Sequence, residues 1–368
     1  MKSKLFFRLA ILVSSVLLTL MIGELVLRTF FPQRTLSELK KVQLACYQSS
    51  SYLAYEFRPN CRGGLSTGGV QSSIHINSLG FRGGEVEEKK SKRIFLVGDS
   101  YIFGYGVDEN QTAASKLEQQ LHVEVVNGGM WGIGPDSEYL LTSRVGLPLK
   151  PDIIIVSIFP ENDLRDIAES VWKESDTGEL SSLSNDKFVD QEGFLRRHAV
   201  SQRYYIPILR DSHVAALLID GLERAYSVVI TKLKISSQPA EGLGNDGGAD
   251  RRCLFEDQCE GRWGSAKENA AKVIQWFKRL STENNIPLIM LIVPSKGQVD
   301  GQEPVETIFH TMVKEEKIPF VDLTETFRTS PLSTDQLFLT DGHWSPLGNE
   351  LAASGIAQFL KESGIHLN

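Results

Sequence analysis

The 368-residue chain has little cysteine. It has four, at 46, 61, 253 and 259, none in a C-x-x-C pair and none with a histidine at zinc-ligand spacing, so no thiolate metal site is expected. The glycines after Asn127 lack the helix-opening order of a dinucleotide fingerprint, and no phosphate loop is present, so no cofactor is expected. There is no basic stripe. Lys and Arg number 39 against 46 Asp and Glu, a formal charge of −7, which gives no electrostatic footprint for nucleic acid. Internal repeats are also missing.

What is present is a globular composition, 41% apolar and 23% charged, with length enough for one large domain or two modest ones. The N-terminus departs from it. Lys2, Lys4 and Arg8 precede an uncharged run from Leu9 to Gly23, followed by Glu24, Leu25 to Leu27 and Arg28. A bilayer span needs roughly 20 apolar residues. The run approaches that length if Arg8 and Glu24 reach the interfaces. A cleaved signal peptide is the competing reading, but no small-x-small site follows Gly23. Residues 1–28 therefore read as a retained membrane anchor rather than a buried soluble helix. The flanking positive charges put the bulk of the chain outside the cytoplasm. There, Cys46–Cys61 and Cys253–Cys259 would make sense as local disulfides, with other pairings and four free thiols left open.

Residues 29–92 read as a stalk and lead-in, irregular as far as residue 72, with a short edge strand at Gln71 to Asn77. From Arg93 the pattern alternates. Strands are expected at Ile94–Val97, Val123–Val126 and Ile153–Phe159, and helices at Gln111–Leu121 and Asp136–Val145. An interruption at 170–265 reads as an insertion over one rim of the sheet. Within it, Ser175 to Asn185 reads as loop and Ser212–Lys234 as an amphipathic helix carrying Val214, Leu217, Leu218, Leu222, Ala225 and Val229. Ser236–Asp250 reads as a mobile Gly/Ser/Asp/Asn stretch. Alternation resumes with a helix from Ser265 to about Asn284, a strand at Pro287–Val293, a helix near Val305–Glu316 and a strand at Pro319–Val321. A last helix follows Ser345 and Pro346, with Leu347, Leu351, Ala352, Ile356 and Phe359 facing inward. The fold class is α/β, a parallel sheet covered on both faces, over residues 93–362.

Four separated pieces carry chemistry. Gly98-Asp99-Ser100 follows the first strand. Asn127 to Gly132 follows the second. Glu161-Asn162-Asp163 follows the third. Asp341-Gly342-His343 precedes the last helix. Strand carboxyl ends share one rim of such a sheet, so the four converge there. Ser100 is then a candidate nucleophile, His343 its base and Asp341 the group orienting that imidazole. The N–H of Ser100, a glycine N–H near 132 and the Asn162 amide are the kinds of donor an oxyanion needs. Asp99 and Asp163 read as braces of their turns. Trp131, Trp344, Tyr101 and Phe103 read mainly as packing, and the histidines at 75, 122, 198, 213, 310 and 366 as structural.

This set resembles the SGNH (GDSL-type) hydrolase superfamily over residues 93–165 and 266–362. Its first block is matched by Gly98-Asp99-Ser100, the second by Gly132, the third by Asn162-Asp163, and the last by Asp341 and His343 with Pro346 and Gly348. The third block has Pro160-Glu161 where the family often has glycine. The last has Asp-x-His rather than Asp-x-x-His, a spacing that resembles a branch including proteins of alginate and other polysaccharide O-acetylation. The resemblance implies a flavodoxin-like α/β/α fold, and Gly132, rather than Gly128 or Gly129, as the oxyanion donor beside Ser100 and Asn162. It implies a serine esterase acting on an acyl, in the first place acetyl, ester of a carbohydrate or envelope component. The alternatives are a polysaccharide O-acyltransferase with the same triad and a non-catalytic polysaccharide-binding or assembly protein.

Overall fold

The computed structural model describes residues 2–33, 35–197, 206, 209–219, 221–222 and 250–365. They fall into two compact units, one of residues 1–43 with 197–246 and one of residues 44–196 with 247–368.

In the first unit, α1 (Lys2–Phe30) is long and apolar enough to cross a membrane, and none of its apolar window is buried in protein. A short helix, α2 (Leu36–Val42), follows, with Thr35 as N-cap accepting the Glu38 N–H. Residues 213–219 and 221–222 are helical. The rest of the helix expected to Lys234, with Ala225 and Val229, lies outside the described residues, as do His198, His366 and almost all of the stretch expected to be mobile.

The second unit is built on a five-stranded parallel sheet. Its strands are β1 (Arg93–Gly98), β2 (Glu124–Gly129), β3 (Ile153–Ile158), β4 (Leu288–Ile292) and β5 (Phe320–Asp322), in the spatial order β5-β4-β3-β1-β2. This is the flavodoxin-like order, in which the chain switches direction across the sheet between β1 and β3. Strand residues are buried on both faces, which explains their unbroken apolar runs. Alternate side chains serve two layers. Phe95, Val97, Val156 and Met290 pack with the layer of α4 (Pro135–Leu141) and α6 (Arg262–Asn284). Ile94, Leu96, Ile155 and Leu291 pack with α3 (Ala113–Leu121) and α7 (Pro346–Glu362). The Asn349 side chain ties these last two helices together, accepting the Ala113 N–H at 2.9 Å. Ser345 caps α7 by accepting the Gly348 N–H, with Pro346 at the first helical position.

Three expectations need correction. The stretch expected to be irregular as far as residue 72 is ordered from Leu44 onward. Arg62–Thr67 pairs antiparallel with Val70–His75, and Leu44, Tyr55, Phe57 and Leu65 join the core. Its few apolar residues were enough because a Cys46–Cys61 disulfide closes the segment locally. Cys253–Cys259 is the second disulfide. Ser175 to Asn185 is not all loop: Leu180–Ser184 pairs with Val171–Glu174, and Leu180 and Leu183 fill the core. Leu347 is 43% exposed, since it lies on the first turn of α7 rather than its inner stripe. Ala352 and Ile356 are buried as expected.

Candidate active site

The turn after β1 is made tight by packing. A Cβ on Gly98 would stand 2.5 Å from Ile102 and 2.6 Å from Ser157, so only glycine lets the strand end that close to its neighbours. The chain then enters a single helical turn, Ser100–Phe103. Asp99 is its N-cap, accepting the Tyr101 N–H at 2.9 Å.

Ser100 is 3% exposed, and its Oγ lies 2.9 Å from Nε2 of His343. His343 comes from a turn that explains the Asp-x-His spacing. Leu339 donates its N–H to the His343 carbonyl at 2.7 Å, and Gly342 takes φ 91°, which a side chain would resist. Asp341 accepts the His343 backbone N–H at 3.2 Å, the local bond aspartates favour in turns. That turn brings its carboxylate to 3.3 Å from the imidazole Nδ1. The contact has ion-pair distance but not hydrogen-bond alignment, and among the described residues Nδ1 has no hydrogen-bond partner. The ring lies between Tyr101 and Tyr105, with centroids 5.4 and 4.7 Å away. The Tyr101 hydroxyl donates to the Gly342 carbonyl at 3.0 Å, fixing the turn.

Asp341 also accepts from Thr67 Oγ1 at 2.5 Å. Burial pushes this carboxyl up, but His343 and Thr67 outweigh burial and hold it at about 2. Thr67 belongs to the hairpin that was expected to be stalk. Nothing in the sequence marks it, because its partner lies 274 residues away.

The two further pieces arrive at the same cleft. Asn162 sits in the first turn of α5 (Pro160–Glu169) and donates its amide to Asp99 at 2.8 Å. Asp163 braces that turn by accepting the Phe159 N–H at 2.8 Å. Gly132 is held by its carbonyl, which accepts from the Tyr55 hydroxyl at 2.8 Å and from Lys187. The cleft has a volume of about 360 Å³, within the range of small-molecule sites. Ser100, Gly132, Asn162, Asp341 and His343 all line it, together with Trp131 and Phe159. Trp344 instead is buried, stacked on Phe327. His310 is buried against Thr307 and Asp322, as a structural histidine.

Around Asp99, beside Ser100, lies a group of buried acids. Burial pushes Asp99 and Asp136 up, and pushes Asp163 and Glu138 well above the carboxylate range, with the neighbouring acids adding to it. At the cleft wall, burial and the nearby Glu303 push Glu161 up to about 7. Burial also raises Glu303, but Ser295 and Arg251 outweigh it and hold that carboxyl below the usual range. Sequence reading missed this pair, since Glu303 lies in a loop with no motif.

A parallel α/β sheet in this order, with the Gly-Asp-Ser turn and the Asp-x-His turn at one rim, is the arrangement of the SGNH hydrolases, which the chain resembles. More narrowly, residues 256–368 match the family described as the SGNH hydrolase-like domain of the acetyltransferase AlgX. That match covers Asp341 and His343, not Ser100. No curated protein matches the chain. Among solved structures, a lipase/acylhydrolase from Enterococcus faecalis is 13% identical, covering 74% of this chain and 96% of its own, at TM-score 0.34. A two-domain esterase active on acetylated mannans is 10% identical, covering 76% of this chain and 51% of its own, at 0.37. LAE5, from the metagenome of Lake Arreo, is 12% identical, covering 75% of this chain and 96% of its own, at 0.38.

Proposed function

We propose that the protein is a serine esterase or O-acyltransferase acting on an acyl, first of all acetyl, ester of a carbohydrate or envelope component. The observation that carries this reading is the approach of Ser100 Oγ to His343 Nε2, 2.9 Å, with the Asp341 carboxylate 3.3 Å behind the same ring. Ser100 attacks the ester carbonyl while His343 takes its proton. Asp341 stabilises the imidazolium that results. The N–H groups of Ser100 and Gly132 and the Asn162 amide receive the oxyanion. His343 then returns the proton to the leaving oxygen. The acyl group passes from Ser100 to water or to a hydroxyl, with His343 as base again. The likeness of residues 256–368 to an acetyltransferase domain supports acetyl as the group and keeps transfer beside hydrolysis. The N-terminal helix anchors the protein, with the catalytic unit outside the cytoplasm, where both disulfides are stable.

A fluorophosphonate probe tests the core of this reading. Labelling of the folded protein that vanishes in Ser100→Ala is expected. No labelling of the wild type would leave the non-catalytic polysaccharide-binding reading standing. Product analysis with an acetyl donor and a sugar acceptor then separates transfer from hydrolysis: acetylated sugar means transfer, free acetate alone means hydrolysis.

A further inference from the structure

Glu24 lies inside the candidate span, and the helical segment that starts at His213 is fastened to it. Its carboxylate accepts the His213 N–H at 2.9 Å, the Val214 N–H at 3.0 Å and the Ser212 hydroxyl at 2.9 Å. Arg28, one turn on, pairs with it at 3.1 Å. These two N–H groups are among the orphan donors of a helix N-terminus, where a negative charge is favourable. Ser212 supplies the ordinary N-cap by accepting the Ala215 N–H at 3.1 Å. Glu24 therefore caps, from another element, a helix more than 180 residues away in sequence.

The fastening extends past the carboxylate. The Gln33 N–H donates to His213 Nδ1 at 2.8 Å, and Arg28 donates to the Asp211 carbonyl at 3.3 Å. The Ser37 N–H and hydroxyl both donate to the Asp211 carboxylate, at 2.9 and 2.6 Å. The Leu36 N–H donates to the Arg210 carbonyl at 2.9 Å. His213 and Ala216 are buried by this docking. Away from His213 the helix is apolar and uncovered: Leu218 and Leu222 are 57% and 69% exposed, and Leu217, at the edge of the docked side, is 45% exposed. Positions 218 and 222 are one turn apart and share one face, while Leu217 stands beside it, one turn on from the buried His213.

The place of the clasp says what covers that face. Arg8 to Glu24 spans about 24 Å of helix, close to a hydrocarbon core of about 30 Å. Glu24 then falls at the outer boundary of the bilayer, and a helix capped there starts at the same depth. A carboxylate at that depth is costly without partners, and this one has four. An apolar helix face starting at the boundary meets acyl chains as α1 does.

We propose that residues 209–219 with 221–222 form a second membrane-contacting element, its helix lying in the bilayer interface with Leu218 and Leu222 in the lipid and Glu24 as the clasp to α1. This rests on the reading of α1 as a membrane anchor. Such an element would hold the chain at the surface at two points and limit how it turns about α1.

All four cysteines are in disulfides, so a nitroxide on Leu218→Cys reports from a single thiol. The full-length protein is placed in vesicles of phosphatidylethanolamine and phosphatidylglycerol, with labels at Leu17→Cys as lipid reference and Glu325→Cys as water reference. Relaxation by oxygen is compared with relaxation by a water-soluble nickel complex. The proposal expects the label at 218 to favour oxygen severalfold over that at 325, approaching the label at 17. A label at 218 that behaves like 325, or is shielded from both reagents, overturns the proposal and leaves the anchor intact. If the label at 17 also behaves like 325, the anchor reading falls and the proposal with it. Glu24→Ala in the Leu218→Cys background should shift that label toward the water reference; an unchanged ratio would refute the clasp.

Discussion

Asp99 and Asp341 stand at the two ends of the Ser100–His343 pair. Both accept a backbone N–H two residues on, and both hold a turn. Asp99 is 1% exposed, and burial pushes its carboxyl up despite bonds from Asn162 and the Tyr101 N–H. Asp341 is half-buried, and its partners hold it at about 2. Burial opposes charge in both. What differs is the company: Asp99 shares its interior with Asp163, Glu138 and Asp166, while Asp341 faces an imidazole and a hydroxyl. The same residue type is thus a buried brace at one end and a charge directed at the His343 imidazole at the other.

The largest effects should fall on the pair between them. Ser100→Ala or His343→Ala should lower kcat for an acetyl ester by on the order of 10⁶, and the double variant no further, because the two act as one unit. Kinetics of all three variants check this; additive losses would break the unit. Asp341→Asn should cost on the order of 10⁴ in kcat, its main effect. Because its carboxyl stays ionised to about 2, the acid limb of the wild-type rate profile should not belong to Asp341. Asn162→Ala should cost about 10² in kcat with KM little changed, as expected of a donor used in the transition state. Asp99→Ala should reverse the Asp341 pattern. Losing the cap should cost about 1 kcal/mol of stability, seen in denaturant unfolding, with activity falling only through Asn162. If Asp99→Ala lowers kcat as far as Asp341→Asn at equal stability, the contrast drawn between them fails.

A pH-dependent effect concerns Glu161. Its folded pKa of about 7 lies above the ordinary 4.5, so the folded state binds the extra proton between those values. Stability should therefore fall as pH rises from about 4.5 to about 7 and level off above. Glu161→Gln should remove that slope. Melting temperatures of both proteins across that range test it, and parallel curves would place the proton elsewhere.

Much of the site was legible because its signals are local. A strand, a glycine turn and Asp99-Ser100 are contiguous, and the Asp341-Gly342-His343 turn closes on itself. Asn162 was legible as a position just after a strand, while Gly132 was singled out from Gly128 and Gly129 only by the family resemblance. Thr67, Tyr55, Lys187 and Glu303 were not, for each matters through a partner far away in sequence and belongs to no periodic pattern. The segment from Leu44 to residue 72 was misread for a related reason. Its apolar residues are sparse and aperiodic, and they become a core only against β1 and β2.

The sequence by itself determined the alternating strands and helices, the apolar N-terminal run and the four blocks of the rim. Those depend on residue periodicity and on backbone demands made within a few positions. The tertiary structure alone decided that Ser100 and His343 meet, that Asp341 keeps its charge while Asp99 is pushed toward neutrality, and that Glu24 caps a helix from across the chain. Each of these depends on distance and local dielectric, which arise only when residues remote in sequence are packed together.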